Sequence, residues 1–509
     1  MAIVEEVGRG SSGRRRLSLK NPATMEELGV IEVSTADDVN AAAEAARAAQ
    51  PAWARVSLKD RAALVQKAVK VIVRRSEEIA ATSMSETGRT AQETLAMEVL
   101  AACDALTWAA KRAPRVLRDR RRWMHLLGPM KSLHLLHRPL GVVGVITPWN
   151  GPFILSVNPV AQALLAGNAV LLKPSEVTPN TGALVGSIFE EAGLPPGVLQ
   201  VLPGDGETGA ALVDADVDKI SFTGSVRTGR KIGEACGRRL IPCTLELGGK
   251  DPAIVCADAN LDRAAAGTVF GACMNAGQVC MAVERIYVVE DIYDEFVDKV
   301  VEYCSSITPG GDADMGPIIW PPQLEVIESH LADALEKGAT VVLGGGRVKD
   351  IDGLYFEPTV VTGVTHDMAL MKEETFGPVV AVMKVSGEEE ALRLANDSDY
   401  GLSSSVWTGD KRKGLALARQ IESGSACVND SEIVYGVTEA PFGGLKQSGV
   451  GSVNSESGLL GYSHLMPVVI DRFNNDREQM WYPFDAKGAD GMRKAINFLW
   501  NTPIGRWLS

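Results

Sequence analysis

The spacing of apolar residues divides this chain near residue 139. From about Ser34 to Ala113 it reads as helices. Ala41, Ala42, Ala45, Ala46 and Ala49 share one face of a first helix, which Thr35 is placed to cap. Ala63, Leu64, Ala68 and Val71 repeat the spacing over Asp60–Arg74. From Pro139 the pattern shifts to short apolar runs, each closed by Gly, Pro or Asn: Gly141–Asn150, Ala169–Glu176, Val198–Gly204 and Lys219–Ser225, with a helix over Ser156–Leu165. Strands that alternate with helical stretches predict a parallel, doubly wound sheet. A second series starts near Leu247, with strands in AIVCA, RIYVVE, TVVLGG, VVAVMKV, SSSVWT and SACVND and a helix over Ile292–Ile307. Two consecutive α/β lobes leave a cleft between them, the expected place for a ligand.

Composition narrows the function. The 509 residues are 46% hydrophobic and 23% charged, a globular balance with room for two or three domains. Lys and Arg number 51 against 64 Asp and Glu, a net charge of −13, which argues against a nucleic-acid binder. The basic run Lys111–Arg122 is the local exception and reads as a solvated helix face or a subunit contact. Eight Cys without a CxxC pair fit reduced thiols in a cytoplasmic protein better than a disulfide scaffold or a zinc site. The first residues, MAIVEEVGRGSSGRRR, lack the apolar core of a signal peptide, and no run reaches the length of a spanning helix.

Three residue settings carry candidate chemistry. Cys280 ends GQVC among small neighbours, Gly271, Ala272, Ala276, Gly277 and Ala282, which let a substrate approach the sulfur. To act as a nucleophile it needs a site that favours the thiolate. Glu246 ends an apolar strand in LELGGK. A carboxylate in such surroundings has a raised pKa and can take a proton from the thiol or from water. Asn150 closes PWN and can donate its amide hydrogens to an oxyanion, or simply form a turn.

From about Leu17 to Pro467 the chain resembles the aldehyde dehydrogenase superfamily. The resemblance rests on ITPWN (Ile146–Asn150), KPSE (Lys173–Glu176), FTGS (Phe222–Ser225), LELGGK, GQVC, EETFGPV (Glu373–Val379) and PFGGLKQSG (Pro441–Gly449). The 34 residues between Glu246 and Cys280 are the family's usual spacing. It implies two Rossmann-like lobes with a small β oligomerisation arm. The dinucleotide-binding domain is expected over 1–122 and 140–247, the catalytic domain over 248–447, the arm over 123–139 and 448–472, and an extension over 473–509. It also implies Cys280 as nucleophile, Asn150 as oxyanion donor and Glu246 as the base for water. The implied cofactor is NAD, with NADP as the alternative, held without a GxGxxG fingerprint. Ile146, Pro148, Trp149, Lys173, Ser175, Glu176, Gly206, Phe222, Thr223, Gly224, Ser225, Leu247, Gly248, Glu374 and Phe376 are expected along it. Pyrophosphate is expected at the start of a helix over Val226–Cys236. Phe153, Met281 and Phe442 are expected around the aldehyde.

The chain also departs from the family pattern. Where a Gly-Arg-Glu commonly follows PFGGLKQSG, it reads Gly451-Ser452-Val453, which removes an auxiliary carboxylate unless Glu456 replaces it. The arm segment Trp123–His137 is unusually apolar, and His125, His134 and His137 read as interface residues. Met492, Ile496, Leu499 and Trp500 share one helical face, and Thr502-Pro503 can start a turn before Trp507 and Leu508. This extension is expected to pack on a partner subunit of a homodimer or homotetramer, or to touch a membrane surface. A broad or apolar aldehyde pocket leads over a succinate-semialdehyde type, because no basic side chain for a distal carboxylate stands out. A cysteine (thio)esterase and a non-catalytic relative are the remaining alternatives.

Overall fold

The computed structural model describes residues 3–11, 13–310, 313–478, 481–484 and 486–503. Two α/β sheets dominate. In the first the strands run in the order Gly449–Val450, Cys243–Glu246, Lys219–Thr223, Val142–Ile146, Ala169–Lys173 and Leu199–Val201. All neighbours are parallel except Gly449–Val450 against Cys243–Glu246. These strands read as continuous apolar runs because helices cover both faces. The helix Ile154–Leu165 is buried along almost its whole length. The second sheet runs Thr340–Leu343, Thr359–Thr362, Val379–Val385, Val283–Val289, Asp251–Val255, Ser405–Trp407 and Cys427–Val428. Only its first strand is antiparallel to its neighbour.

Register explains why distant motifs meet. Ile146 lies opposite Lys173 on one side and Phe222 on the other. Glu246 lies opposite Thr223 and Gly449. The motifs therefore converge at the carboxyl ends of adjacent strands, where open α/β sheets bind ligands.

Several expectations shift in detail. The first-sheet strands are shorter than expected, Val379–Val385 matches its expected run, Val283–Val289 begins two residues before RIYVVE, and the helices occupy Tyr293–Ser305 and Val226–Arg239. In the helix Ala36–Arg55 the buried residues are Val39, Ala42, Ala43, Ala46 and Trp53, and Leu58–Arg74 buries Ala62 and Val65 rather than Ala63 and Leu64. Alanine favours helix on any face, so it located the helices better than it oriented them. An antiparallel sheet of Val4–Arg9, Arg15–Lys20 and Glu27–Glu32 had no counterpart in the pattern, because charged residues interrupt its alternation.

The chain forms two compact units, Met1–Val116 with Pro139–Tyr462, and Leu117–Arg138 with Ser463–Ser509. The second segment of the arm was expected over 448–472, whereas Gly449–Val450 joins the first sheet and the smaller unit resumes at Ser463. Within the smaller unit, Ser463–Asp471, Lys131–Pro139 and Arg120–Arg122 make a three-stranded sheet. Lys131 Nζ bonds Asp471 at 3.1 Å and Glu478 at 2.7 Å. His134 lies opposite Arg121, and His137 Nδ1 is 3.3 Å from Ser463 Oγ. A helix spans Ala486–Asn501 with Met492, Ile496, Phe498 and Trp500 exposed. Trp507 and Leu508 lie outside the described residues. No described helix is long and apolar enough to cross a membrane.

Candidate active site

A cavity of about 950 Å³ opens at the carboxyl ends of the first sheet and reaches Cys280. Its wall includes Asn150, Glu246 and Cys280, together with Ile146, Pro148, Trp149, Lys173, Ser175, Glu176, Gly206, Phe222, Thr223, Gly224, Ser225, Leu247, Gly248, Glu374 and Phe376. Met281 and Phe442 lie outside that wall, in an apolar cluster with Val279, Ala282, Leu402 and Val453 against which Cys280, Met97, Met274, Val434 and Tyr435 pack. Phe153 is fully buried ahead of the helix Ile154–Leu165 and lines no part of the cavity. A side chain with no exposed surface there has no face left for a ligand.

The Cys280 loop is shaped by backbone conformation. Asn275, Ala276 and Gly277 are all left-handed, with φ of 53°, 54° and 72°. A Cβ on Gly277 would stand 2.1 Å from the Gly377 carbonyl oxygen, so only glycine fits. The fully buried Gln278 then pins the loop, its Nε2 donating to the Asn275 carbonyl at 2.7 Å and to the Pro317 carbonyl at 3.1 Å. Asn150 Nδ2 donates to the Gln278 carbonyl at 3.0 Å, which ties the end of the first-sheet strand to the cysteine loop.

A buried brace behind Asn150 was not visible in the pattern. Arg89 donates to Glu98 at 2.9 Å, to Asn275 Oδ1 at 2.9 Å and to the Asn150 carbonyl. Glu98 accepts from the amides of Phe153 and Ile154 at 3.1 and 2.8 Å. Glu98 lies in a π-helical segment, Leu95–Leu100, a local feature that hydrophobic spacing does not reveal. A second brace holds the Glu374 loop: Glu284 accepts from Lys250 Nζ and from the amides of Thr375 and Phe376 at 2.8 and 2.9 Å.

The electrostatics oppose charge. Both oxygens of Glu246 are buried without a hydrogen-bond partner among the described residues, and burial lifts its carboxyl well above the usual range. Burial also raises the Cys280 thiol well above its ordinary value, and the carboxyls of Glu246, Asp251, Glu374 and Glu432 add to the effect. At rest, then, this site favours the thiol, contrary to the expectation of a thiolate-stabilising pocket. Burial lifts Glu374 to about 8 although it accepts from the Gly249 amide at 2.9 Å.

A dinucleotide fits the cavity. The helix Val226–Arg239 starts at its wall, where Ser225, Arg227 and Thr228 line it, and Ser225 Oγ accepts from the Thr228 amide at 3.3 Å. Lys173 and Glu176 pair at 3.1 Å on its wall. A Cβ on Gly248 would sit 2.4 Å from the Glu374 carboxylate, so glycine keeps this stretch open. Trp149 and Phe376 meet edge to face at 5.5 Å beside it.

Known proteins share this architecture. A family model described as the aldehyde dehydrogenase family matches residues 9–468. A Methylomonas sp protein named 4,4'-diapolycopene aldehyde oxidase is 39% identical over 451 residues, 88% of this chain and 84% of that one. A Mycolicibacterium smegmatis protein, named "Putative succinate-semialdehyde dehydrogenase (NADP(+))", is 40% identical over 470 residues, 91% of this chain and 90% of that one. The crystal structure of a Mycobacterium tuberculosis aldehyde dehydrogenase complexed with NAD+ superposes with a TM-score of 0.87 at 37% identity, covering 90% of this chain and 95% of that one. The chain belongs to the aldehyde dehydrogenase family and is an NAD(P)-dependent oxidoreductase acting on an aldehyde.

Proposed function

We propose that Cys280, Glu246 and Asn150 carry the reaction, on an apolar aldehyde and with NAD preferred to NADP. The observation that carries this reading is the convergence of the three on one cavity wall beside a dinucleotide-sized space. Cys280 Sγ, once deprotonated, attacks the aldehyde carbon, and the Asn150 amide is the donor available for the oxygen that becomes negative. A bound nicotinamide supplies the hydride acceptor. The resulting thioester is cleaved by water whose proton goes to Glu246, releasing a carboxylic acid. Burial disfavours ionisation of Glu246, so it acts as base only after its own proton has left to solvent, and the carboxylate then formed is strongly basic.

Three features support the finer choices. The cluster against which Cys280 packs is Val, Met, Ala, Leu and Phe. This favours an apolar aldehyde, as does the kinship to a diapolycopene aldehyde oxidase, whereas the equally similar putative succinate-semialdehyde dehydrogenase supports the succinate-semialdehyde alternative. Glu176 would hydrogen-bond a free ribose 2′-hydroxyl and repel a 2′-phosphate. The exposed edge of the smaller unit and the apolar face of Ala486–Asn501 suit a homodimer or homotetramer, with contact at a membrane surface as the alternative.

The decisive experiment follows reduced cofactor with NAD and NADP separately, over acetaldehyde, succinate semialdehyde, decanal and benzaldehyde. Decanal with NAD is expected to lead, and Cys280→Ala to abolish turnover. Turnover that survives in Cys280→Ala would overturn the nucleophile assignment; preference for succinate semialdehyde would overturn the pocket assignment.

A further inference from the structure

Two residues of the cavity wall, Glu374 and Phe376, flank one that does not reach it. Side chains along an extended segment alternate between its two faces. With Glu374 and Phe376 on the cavity side, Thr375 turns inward and is only 2% exposed. All of its polar groups are engaged there. Its amide donates to Glu284 at 2.8 Å, and its carbonyl accepts from Gln323 Nε2 at 2.7 Å. Its Oγ1 accepts from Lys250 Nζ at 3.1 Å and shares a hydrogen bond with His330 Nδ1, also at 3.1 Å. The next residue needs this grip: Phe376 has a φ of 52°, a left-handed conformation that a side chain of its size keeps only where its surroundings hold it.

The helix Pro321–Glu336 forms the rear of the grip. Gln323, Ile327 and His330 lie four and then three residues apart, which places them on one face. A Cβ on Gly377 would stand 2.4 Å from Ile327 Cδ1, so that face packs directly on the segment. Gln323 also lines the cavity, whereas His330 is buried away from it and has no part in the chemistry above. Burying an imidazole carries a penalty that its hydrogen bond must offset. Gly249 ties the segment to the nucleophile. Its amide donates to Glu374 at 2.9 Å, and a Cβ on it would stand 2.3 Å from the Cys280 carbonyl oxygen. A hydride acceptor must lie near Cys280, so Glu374 and Phe376 border the nicotinamide end of the cavity.

We propose that His330 is a positioning residue for the cofactor, which through Thr375 Oγ1 fixes the Glu374–Phe376 segment in the shape that grips the nicotinamide end of the dinucleotide. The inference rests on the assignment of Glu374 and Phe376 to that end. His330 touches neither cofactor nor aldehyde, and it exchanges no proton with them. It acts on the free protein by raising the fraction that already has the binding shape, and the apparent dissociation constant falls in proportion.

Fluorescence titration with NADH, without aldehyde, reads the dissociation constant in wild type, His330→Leu, His330→Asn, Thr375→Val and the His330→Leu/Thr375→Val double variant. His330→Leu is expected to weaken binding by about 3- to 10-fold, the size of one net hydrogen bond. Because the two residues act as a unit, the double variant should bind no more weakly than the weaker single variant. His330→Asn, which puts an amide near the place of Nδ1, should recover most of the loss. Amide hydrogen exchange across residues 374–377 of the cofactor-free protein should be faster in His330→Leu than in wild type. Unchanged NADH binding in His330→Leu would overturn the proposal, as would full additivity with Thr375→Val. If thermal melting shows that His330→Leu does not fold, unchanged binding in Thr375→Val overturns it. Glu374→Ala keeps the two failures apart: wild-type NADH binding in that variant would overturn the assignment of the segment to the nicotinamide end.

Discussion

At the residue scale this site gathers acids and leaves them short of partners. Among the described residues, the carboxyl oxygens of Glu246 and Glu432 are buried without a hydrogen-bond partner, and burial raises these two and Asp251 well above their ordinary values. Asp251 and Glu432 are held in this state by the same desolvation that makes Glu246 a strong base. The consequence for stability has a definite sign. A carboxyl whose folded pKa exceeds its unfolded one stabilises fully below the unfolded value, and that contribution is lost as pH rises through the folded value. For Glu374, with a folded value of about 8 against 4.5, the loss runs through the interval between them. The melting temperature of the cofactor-free protein is therefore expected to fall as pH is raised from about 5 to 8. Glu374→Gln should flatten part of that fall in calorimetric scans. A melting temperature that rises over the interval would contradict the assignment of these buried acids as neutral.

At the scale of elements, the site depends on segments that fix one another without touching a ligand. The π-helical turn Leu95–Leu100 places Glu98 under the amides that open the helix Ile154–Leu165, while Arg89 links Glu98 to the Asn150 and Asn275 segments. Glu98→Gln removes the carboxylate that pairs with the buried Arg89 guanidinium at 2.9 Å. Such a loss costs on the order of 3 kcal/mol, read as a lowered urea midpoint. Acylation by Cys280 should weaken as well, because Asn150 is bound into the same network. Stability within about 0.5 kcal/mol of wild type would show that this brace is dispensable.

At the scale of the molecule, the smaller unit exposes much apolar surface. Trp123, Phe473, Trp481, Tyr482 and Phe484 are exposed along with the face of Ala486–Asn501. Contiguous apolar surface of this kind marks an interaction site. Removal of residues 473–509 is expected to lower the oligomeric state by light scattering while leaving the first-turnover burst intact. Co-sedimentation with anionic vesicles, lost in the same truncation and without change in oligomeric state, would favour the membrane alternative.

What the sequence determined by itself was local and repetitive. Continuous apolar strands closed by Gly, Pro or Asn placed both α/β series, since a sheet covered on two faces needs such runs. Glu246 and Cys280 stood out because a carboxyl at the end of an apolar strand and a thiol among glycine and alanine are chemically conspicuous. Tertiary structure alone decided the rest. The brace through which Arg89 and Glu98 reach Asn275, Asn150 and the amides of Phe153 and Ile154 joins residues far apart in the chain whose types are ordinary one by one. The raising of the Cys280 thiol could not be read from its neighbours in sequence, because the burial and carboxyls that cause it come from distant segments. Phe153 was expected beside the aldehyde and is instead core, since its burial depends on the packing of helices above it. Hydrophobic period is set by the nearest few residues, whereas desolvation and hydrogen-bond partners are set by whatever folding brings alongside.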